Sequence, residues 1–199
     1  MDWRKEETGQ RDGGWTISME YIPGKTMEQL MEEHPEKADE YLEKFVDIQL
    51  DINKVKATRL RNTLNKMEDS VNSLTEIDPS TKYEIMQRIH GMKHHTKLCH
   101  GDLVPSNIIL HDDGSYVVLD WSHGTKGNAG ADAAVSYMRF CLEKPELAEK
   151  YLKLYSVKSG LAIQYIQRWM PIVAAAQLTK KKPEEKDLLE KWISVAEYQ

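Results

Sequence analysis

The chain is poor in the features that mark specialised protein classes. Only two cysteines, Cys99 and Cys141, occur among 199 residues; they lie far apart, so neither a disulfide framework nor a four-ligand zinc site is indicated, and a reducing cytoplasm is the expected location. No stretch approaches the roughly 18 consecutive apolar residues that a membrane span requires, and Met1 opens onto charged residues rather than the apolar core of a signal peptide. There is no excess of positive charge either: the formal net charge is −5 at pH 7, which argues against a general nucleic-acid binder. Internal repeats and low-complexity linkers are also missing. With 40% hydrophobic residues, the chain is long enough to close one sizeable core without disulfides.

What is present reads as an α+β chain, mostly helical. Residues 15–22 are apolar and β-prone and follow Asp12-Gly13-Gly14, so they form the second arm of a hairpin that runs into a Pro23-Gly24 turn. Thr26 offers a helix N-cap to Met27, Leu30 and Met31, and after His34-Pro35 a longer helix carries Ala38, Tyr41, Leu42, Phe45, Ile48 and Ile52 on one face. Leu64, Met67, Val71 and Leu74 predict a third helix. A fourth starts near Ser80 and can end at Gly91. At Leu98 the texture changes: a short apolar step, a polar loop, then Ile108-Ile109-Leu110, the turn Asp112-Asp113-Gly114, and Tyr116 to Leu119 predict a small β-hairpin among helices. Helices return near 132–142, 146–155, 160–178 and 184–197, the third interrupted by Pro171.

The chemically informative stretch is Cys99-His100-Gly101-Asp102-Leu103-Val104-Pro105-Ser106-Asn107, followed after the hairpin by Asp120-Trp121. Asn107 and Asp120 stand at its two ends, so folding it back brings their oxygen atoms together. Hard oxygen ligands of this kind suit Mg²⁺ that is held partly by phosphates. Asp102, on the loop just before, can accept a hydrogen bond from a substrate hydroxyl and orient it for in-line attack on a phosphoryl group.

His-Gly-Asp, four residues, Asn-Ile, and then a hydrophobic strand ending in Asp-Trp resembles the aminoglycoside phosphotransferase and choline kinase-like group, the small-molecule cousins of protein kinases. The resemblance extends to Met19 through Thr26, similar to the family's strand and hinge, and to Gly127 through Ala133, where Asp132 matches an Asp-x-Ala helix start. It implies a protein kinase-like C-terminal lobe over residues 25–199, with a remnant of the N-terminal lobe and hinge over 1–24. It implies ATP and Mg²⁺ as cofactors and a small-molecule hydroxyl, aminoglycoside-like or amino-alcohol, as acceptor. Asp102 is then the catalytic base, with His100 bracing its loop. Asn107 and Asp120 bind the metal, and backbone groups of Glu20, Tyr21 and Ile22 touch the adenine.

The front of the chain departs from the family. Gly9, Gly13 and Gly14 make no phosphate-covering motif, and Lys5 does not sit on an apolar strand. The expectation is that most of the N-terminal lobe is absent, so the missing part is encoded elsewhere or in a partner chain, or the gene product is truncated, or the chain has retired from catalysis. The rival reading is therefore a non-catalytic or partner-dependent binding module with a kinase-like C-lobe.

Other signals have plainer readings. All histidines but His34 fall between His90 and His123, which raises a zinc site from His94, His95, His100 and His111 and metal-dependent hydrolysis, although their spacing matches no usual ligand pattern. Cys99 reads as a small buried hydrophobe rather than a nucleophile. The acids of residues 28–51 form a solvated helix face or attract a cationic substrate. Trp169 and Trp192 fit core packing.

Overall fold

The computed structural model describes residues 20–194 in full and, before them, the backbone of 7–11 and 14–18. Those two segments are strands β1 (Glu7–Arg11) and β2 (Gly14–Ser18), paired antiparallel with Glu7 opposite Ser18. The hairpin is where the sequence puts it, but its second arm ends at Ser18 and residues 20–23 carry no strand.

The short strand β3 (Lys25–Thr26) leads into α1 (Met27–Glu33). Thr26 caps that helix as expected: its hydroxyl accepts from Gln29 N at 3.2 Å while Gln29 Oε1 accepts from Thr26 N at 2.9 Å. Then come α2 (Ala38–Lys54), α3 (Thr63–Ser73) and α4 (Pro79–His90). Helix α4 starts slightly before Ser80 because Asp78 is the cap; its Oδ1 accepts from Ser80 N and Thr81 N at 2.9 and 3.0 Å. Pro79 fits the first helical position, where no N–H is needed.

Strand β4 (Lys97–Cys99) precedes the hairpin β5 (Ile108–Leu110) and β6 (Tyr116–Val118), after which β7 (Thr125–Gly127) opens onto α5 (Ala129–Glu143). The last helices are α6 (Pro145–Ser159), α7 (Ile163–Gln167), α8 (Met170–Leu178) and α9 (Pro183–Ser194). The helix expected over 160–178 is thus two, with Pro171 in the first turn of α8 rather than mid-helix. Two pairings were illegible in the sequence. β3 joins the hairpin to make the sheet order β3-β5-β6, with Thr26 opposite Ile109, and β4 pairs β7, with Cys99 opposite Thr125.

The core lies between α2, α5, α6 and α8. Phe45 meets Phe140 edge-on with ring centroids 5.2 Å apart and Tyr151 at 5.7 Å. Fully burying a side chain such as Phe45, Leu103 or Ile108 contributes about 1.5–3 kcal/mol each. Through this apolar mass run two buried polar chains. Tyr151 Oη donates to Gln49 Oε1 at 2.6 Å, Gln49 Nε2 donates to Ser136 Oγ at 3.0 Å, and Ser136 Oγ donates to Leu103 O at 3.0 Å. Tyr155 Oη donates to Asn53 Oδ1 at 2.8 Å, Asn53 Nδ2 donates to Asp132 Oδ2 at 3.0 Å, and Asp132 Oδ1 accepts from Gly101 N at 2.8 Å. Buried polar groups need partners, and satisfying them here ties the helical core to the residues on either side of Asp102.

Candidate active site

The loop after β4 is held from several sides. Gly101 has φ 78, and a Cβ there would stand 2.6 Å from His123 O, so only glycine lets the chain turn this closely. His100 is fully buried, its ring 4.7 Å from that of Trp121. Its Nδ1 accepts from Asp102 N at 3.3 Å, which leaves Nε2 to carry the proton and donate to Leu119 O at 2.9 Å. His100 therefore links the start of the loop to the residue before Asp120, a bracing role. Asp102 follows, with its side chain largely covered but still 17% exposed.

Asn107 and Asp120 are neighbours at the open end of the β5–β6 hairpin. Ile108 pairs Val118, and the ladder continues through Leu119 N donating to Asn107 O at 2.8 Å. Asn107 Nδ2 donates to Asp102 O at 3.0 Å, so the orientation of its amide is set and Oδ1 is the atom left for a ligand. Asp120 has φ 54 and ψ 66, a left-handed conformation that turns its carboxylate out to an exposed position. Hydrogen bonds from Ser122 hold the Asp120 carboxyl below the usual carboxylate range, so it is an ionised oxygen donor at neutral pH. An amide oxygen and a carboxylate of this kind fit a magnesium ion that takes its other ligands from phosphate and water.

Side chains from distant helices complete the surroundings of Asp102. Arg139 of α5 places Nε 3.4 Å from Asp102 Oδ1, while its other nitrogens reach Glu143 at 2.5 Å and Glu185 at 3.8 Å. Opposite, Lys66 of α3 directs Nζ to His123 Nδ1 at 3.0 Å and His123 O at 3.3 Å. Burial lowers the Lys66 pKa, and the neighbouring charges of Lys180 and Arg61 lower it further. The His123 pKa is lowered by burial and then by Lys66 and Lys180. Arg139, Lys66 and His123 give no local motif. Asp132 matched a family pattern, but its grip on Gly101 follows only from the packing of α5 against β4.

Residues 20–24 lead to this hairpin. The position of a Cβ on Gly24, which has φ 132, falls 2.6 Å from Ile109 Cγ2, so Gly24 lies directly against β5. Glu20 and Tyr21 are exposed, and Ile22 is half-buried.

The remaining candidates resolve as packing or surface. The histidines do not gather. His90 faces Glu68, His94 faces Asn62, and His100 and His123 are used as above. Among the described residues no three His, Cys, Asp or Glu side chains come together to hold a metal ion, so the zinc reading finds no site there. Cys99 is buried beside Asn128 O, and burial pushes its thiol pKa up. Most acids of 28–51 are ion-paired along the surface, among them Asp39 with Lys150, Asp47 with Lys158, and Glu28 with Lys144. Trp169 is fully buried.

The model of a phosphotransferase enzyme family, the aminoglycoside phosphotransferase group, matches residues 5–171. The chain belongs to this family. Among solved structures, this phosphotransferase chain is similar to an aminoglycoside phosphotransferase crystallised with ADP and hygromycin B, with TM-score 0.68 and 12% identity over 96% of this chain and 74% of that one. It is also similar to choline kinase LicA from Streptococcus pneumoniae, with TM-score 0.64 and 15% identity over 98% and 75%, and to an ethanolamine kinase of Plasmodium vivax, with TM-score 0.54 and 12% identity over 96% and 66%. At such identities the likeness establishes the fold, a kinase-like lobe, and leaves function to the site. No curated protein sequence matches this chain significantly. None of its described helices is long and apolar enough to cross a membrane.

Proposed function

We propose that this chain is the catalytic part of an ATP-dependent kinase that moves the γ-phosphoryl group to a hydroxyl of a small molecule. The observation that carries this reading is the placement of Asp102. Its loop is gripped on one side through Gly101 N and on the other through Leu103 O, and Asn107 and Asp120 stand beside it on one hairpin. A carboxylate held this way accepts the acceptor's hydroxyl proton and keeps its oxygen aligned with the phosphoryl group. His100 acts by position, keeping the loop against Leu119. Asn107 Oδ1 and the Asp120 carboxylate would hold magnesium. When bound, the ion offsets charge on the phosphoryl group in transit.

Residues 1–24 take the part of N-lobe remnant and hinge in this reading, with the backbone of Glu20 to Ile22 meeting the adenine and 25–199 forming the C-lobe. The nucleotides in related crystals support an adenine site, since one neighbour is a complex with AMP and another with ADP. Amino alcohols and aminoglycosides, the acceptors in the neighbours' names, are the first hydroxyl compounds to screen. The cysteines, both free, fit a cytoplasmic enzyme.

Calorimetric titration of Mg-ATP into the chain tests the proposal, with Asp120→Ala as control. Saturable, magnesium-dependent binding that disappears in the variant supports a working phosphotransferase. Absence of binding by the wild-type chain refutes it for this polypeptide and favours the non-catalytic or partner-dependent module.

A further inference from the structure

Charge around Asp102 is divided unevenly. On the side of α5 and α9, each cation has a carboxylate: Arg139 meets Asp102, Glu143 and Glu185, and Lys182 meets Glu185 at 3.0 Å. On the side of α3 and α8 the pairing is incomplete: Arg61 meets Asp69 and Lys181 meets Glu76 at 3.3 Å, but two lysines have no carboxylate. Lys66, half-buried, donates only to the ring and carbonyl of His123, and among the described residues neither Lys66 nor Lys180 makes an ion pair. Burial and the charges of Lys180 and Arg61 disfavour the protonated form of Lys66, burial and the charges of Lys66 and Lys180 disfavour that of His123, and Asp102 favours both. An ammonium taken partly out of water beside other cations is unfavourable until an anion joins it.

We propose that Lys66 and Lys180 receive an anionic group of the acceptor, a carboxylate or a phosphate, carried on the same molecule as the reacting hydroxyl. This inference rests on the phosphotransfer reading. Within it, the nucleotide approaches from residues 20–24, of which Gly24 lies against β5, and its phosphates end at Asn107 and Asp120. Lys66 Nζ lies 3.3 Å from His123 O, the atom against which Gly101 turns, so it stands beside the loop that carries Asp102. The lysines would fix the acceptor's anionic end while Asp102 takes the hydroxyl, two anchors that orient one molecule. The acceptor would then differ in charge from choline and from the aminoglycosides.

The test is calorimetric titration of the full chain with inorganic phosphate and with D-glycerate, a hydroxyl-bearing carboxylate, each with and without magnesium and the non-hydrolysable ATP analogue AMP-PNP. Both anions should bind saturably, and the bound analogue should not exclude them. Lys66→Met should weaken binding about tenfold, the loss of one charge-assisted contact of about 1.4 kcal/mol. Lys180→Met, at an exposed position that folding tolerates, should weaken it in the same direction. The inference is overturned if neither anion binds the wild-type chain, or if both variants bind as the wild type does. It is also overturned if AMP-PNP displaces the anions, which would assign the lysines to the terminal phosphate of the nucleotide. The Mg-ATP titration reads the phosphotransfer proposal separately: anion binding without nucleotide binding would sink that proposal and leave the anion site standing.

Discussion

Removing the Asp132 carboxylate should cost this fold more than any other single polar change near the site. Asp132 is 2% exposed and accepts Gly101 N at 2.8 Å and Asn53 Nδ2 at 3.0 Å. Asp132→Ala leaves both donors without that acceptor, and each buried orphan costs about 1–3 kcal/mol. Asn53 Nδ2 keeps Leu98 O at 3.0 Å, and Gly101 is only half-buried, so both costs fall toward the lower end. The expected loss is about 3 kcal/mol, which for a chain of this length lowers Tm by about 6–12 °C. Asp132→Asn keeps one acceptor oxygen and should lose roughly half as much. Urea denaturation followed by circular dichroism gives the free energies, and calorimetry gives the Tm. If Asp132→Ala stays within about 0.5 kcal/mol of wild type, the range of an ordinary surface substitution, the account of the buried polar chain is wrong.

Gly101→Ala combines a left-handed backbone, about 1–2 kcal/mol for a residue with a Cβ, with a contact 2.6 Å from His123 O. It should destabilise by roughly 2–4 kcal/mol in the same denaturation assay; a neutral effect would mean the loop has room that the structure denies. Cys99, its thiol pKa raised by burial, should resist iodoacetamide at pH 8 in the native state and react only on unfolding, as read by mass spectrometry; rapid native labelling contradicts the burial. Asp78, at the start of α4, has its carboxyl pKa lowered by hydrogen bonds from Thr81 and Ser80. Its folded value is thus below its unfolded one, so its stabilisation is complete above the ordinary carboxylate range and is lost as pH falls through the depressed folded value. The stability difference between wild type and Asp78→Asn should therefore shrink on acidification, and a difference independent of pH would contradict the linkage.

Much of the local structure is written in short windows of sequence, because helix caps, turns and amphipathic periods depend on neighbours a few residues apart. Thr26 with Gln29, the Asp112-Asp113-Gly114 turn and the stripe Leu42, Phe45, Ile48, Ile52 are of this kind, and each is found where the residues imply it. The row His100, Gly101, Asp102, Asn107, Asp120 was equally legible, since one loop and one hairpin hold it. The exact helix starts were less so: Asp78 outcompetes Ser80 as a cap, and Pro171 begins α8 instead of interrupting a longer helix.

Only the tertiary structure decided what surrounds Asp102. The β3–β5 and β4–β7 pairings involve two- and three-residue strands, too short for a period of two to show, and they join segments far apart in the chain. Asn53, Asp132 and Arg139 sit on helical faces whose periodicity says buried or exposed but not against what; their contacts with Leu98, Gly101 and Asp102 arise when α2 and α5 pack together. In the same way Lys66 is one more lysine on an amphipathic helix until α3 and α8 bring it beside His123 and Lys180. Sequence spacing determines which residues make up the row from His100 to Asp120, whereas the field at those residues depends on distances that only the folded chain sets.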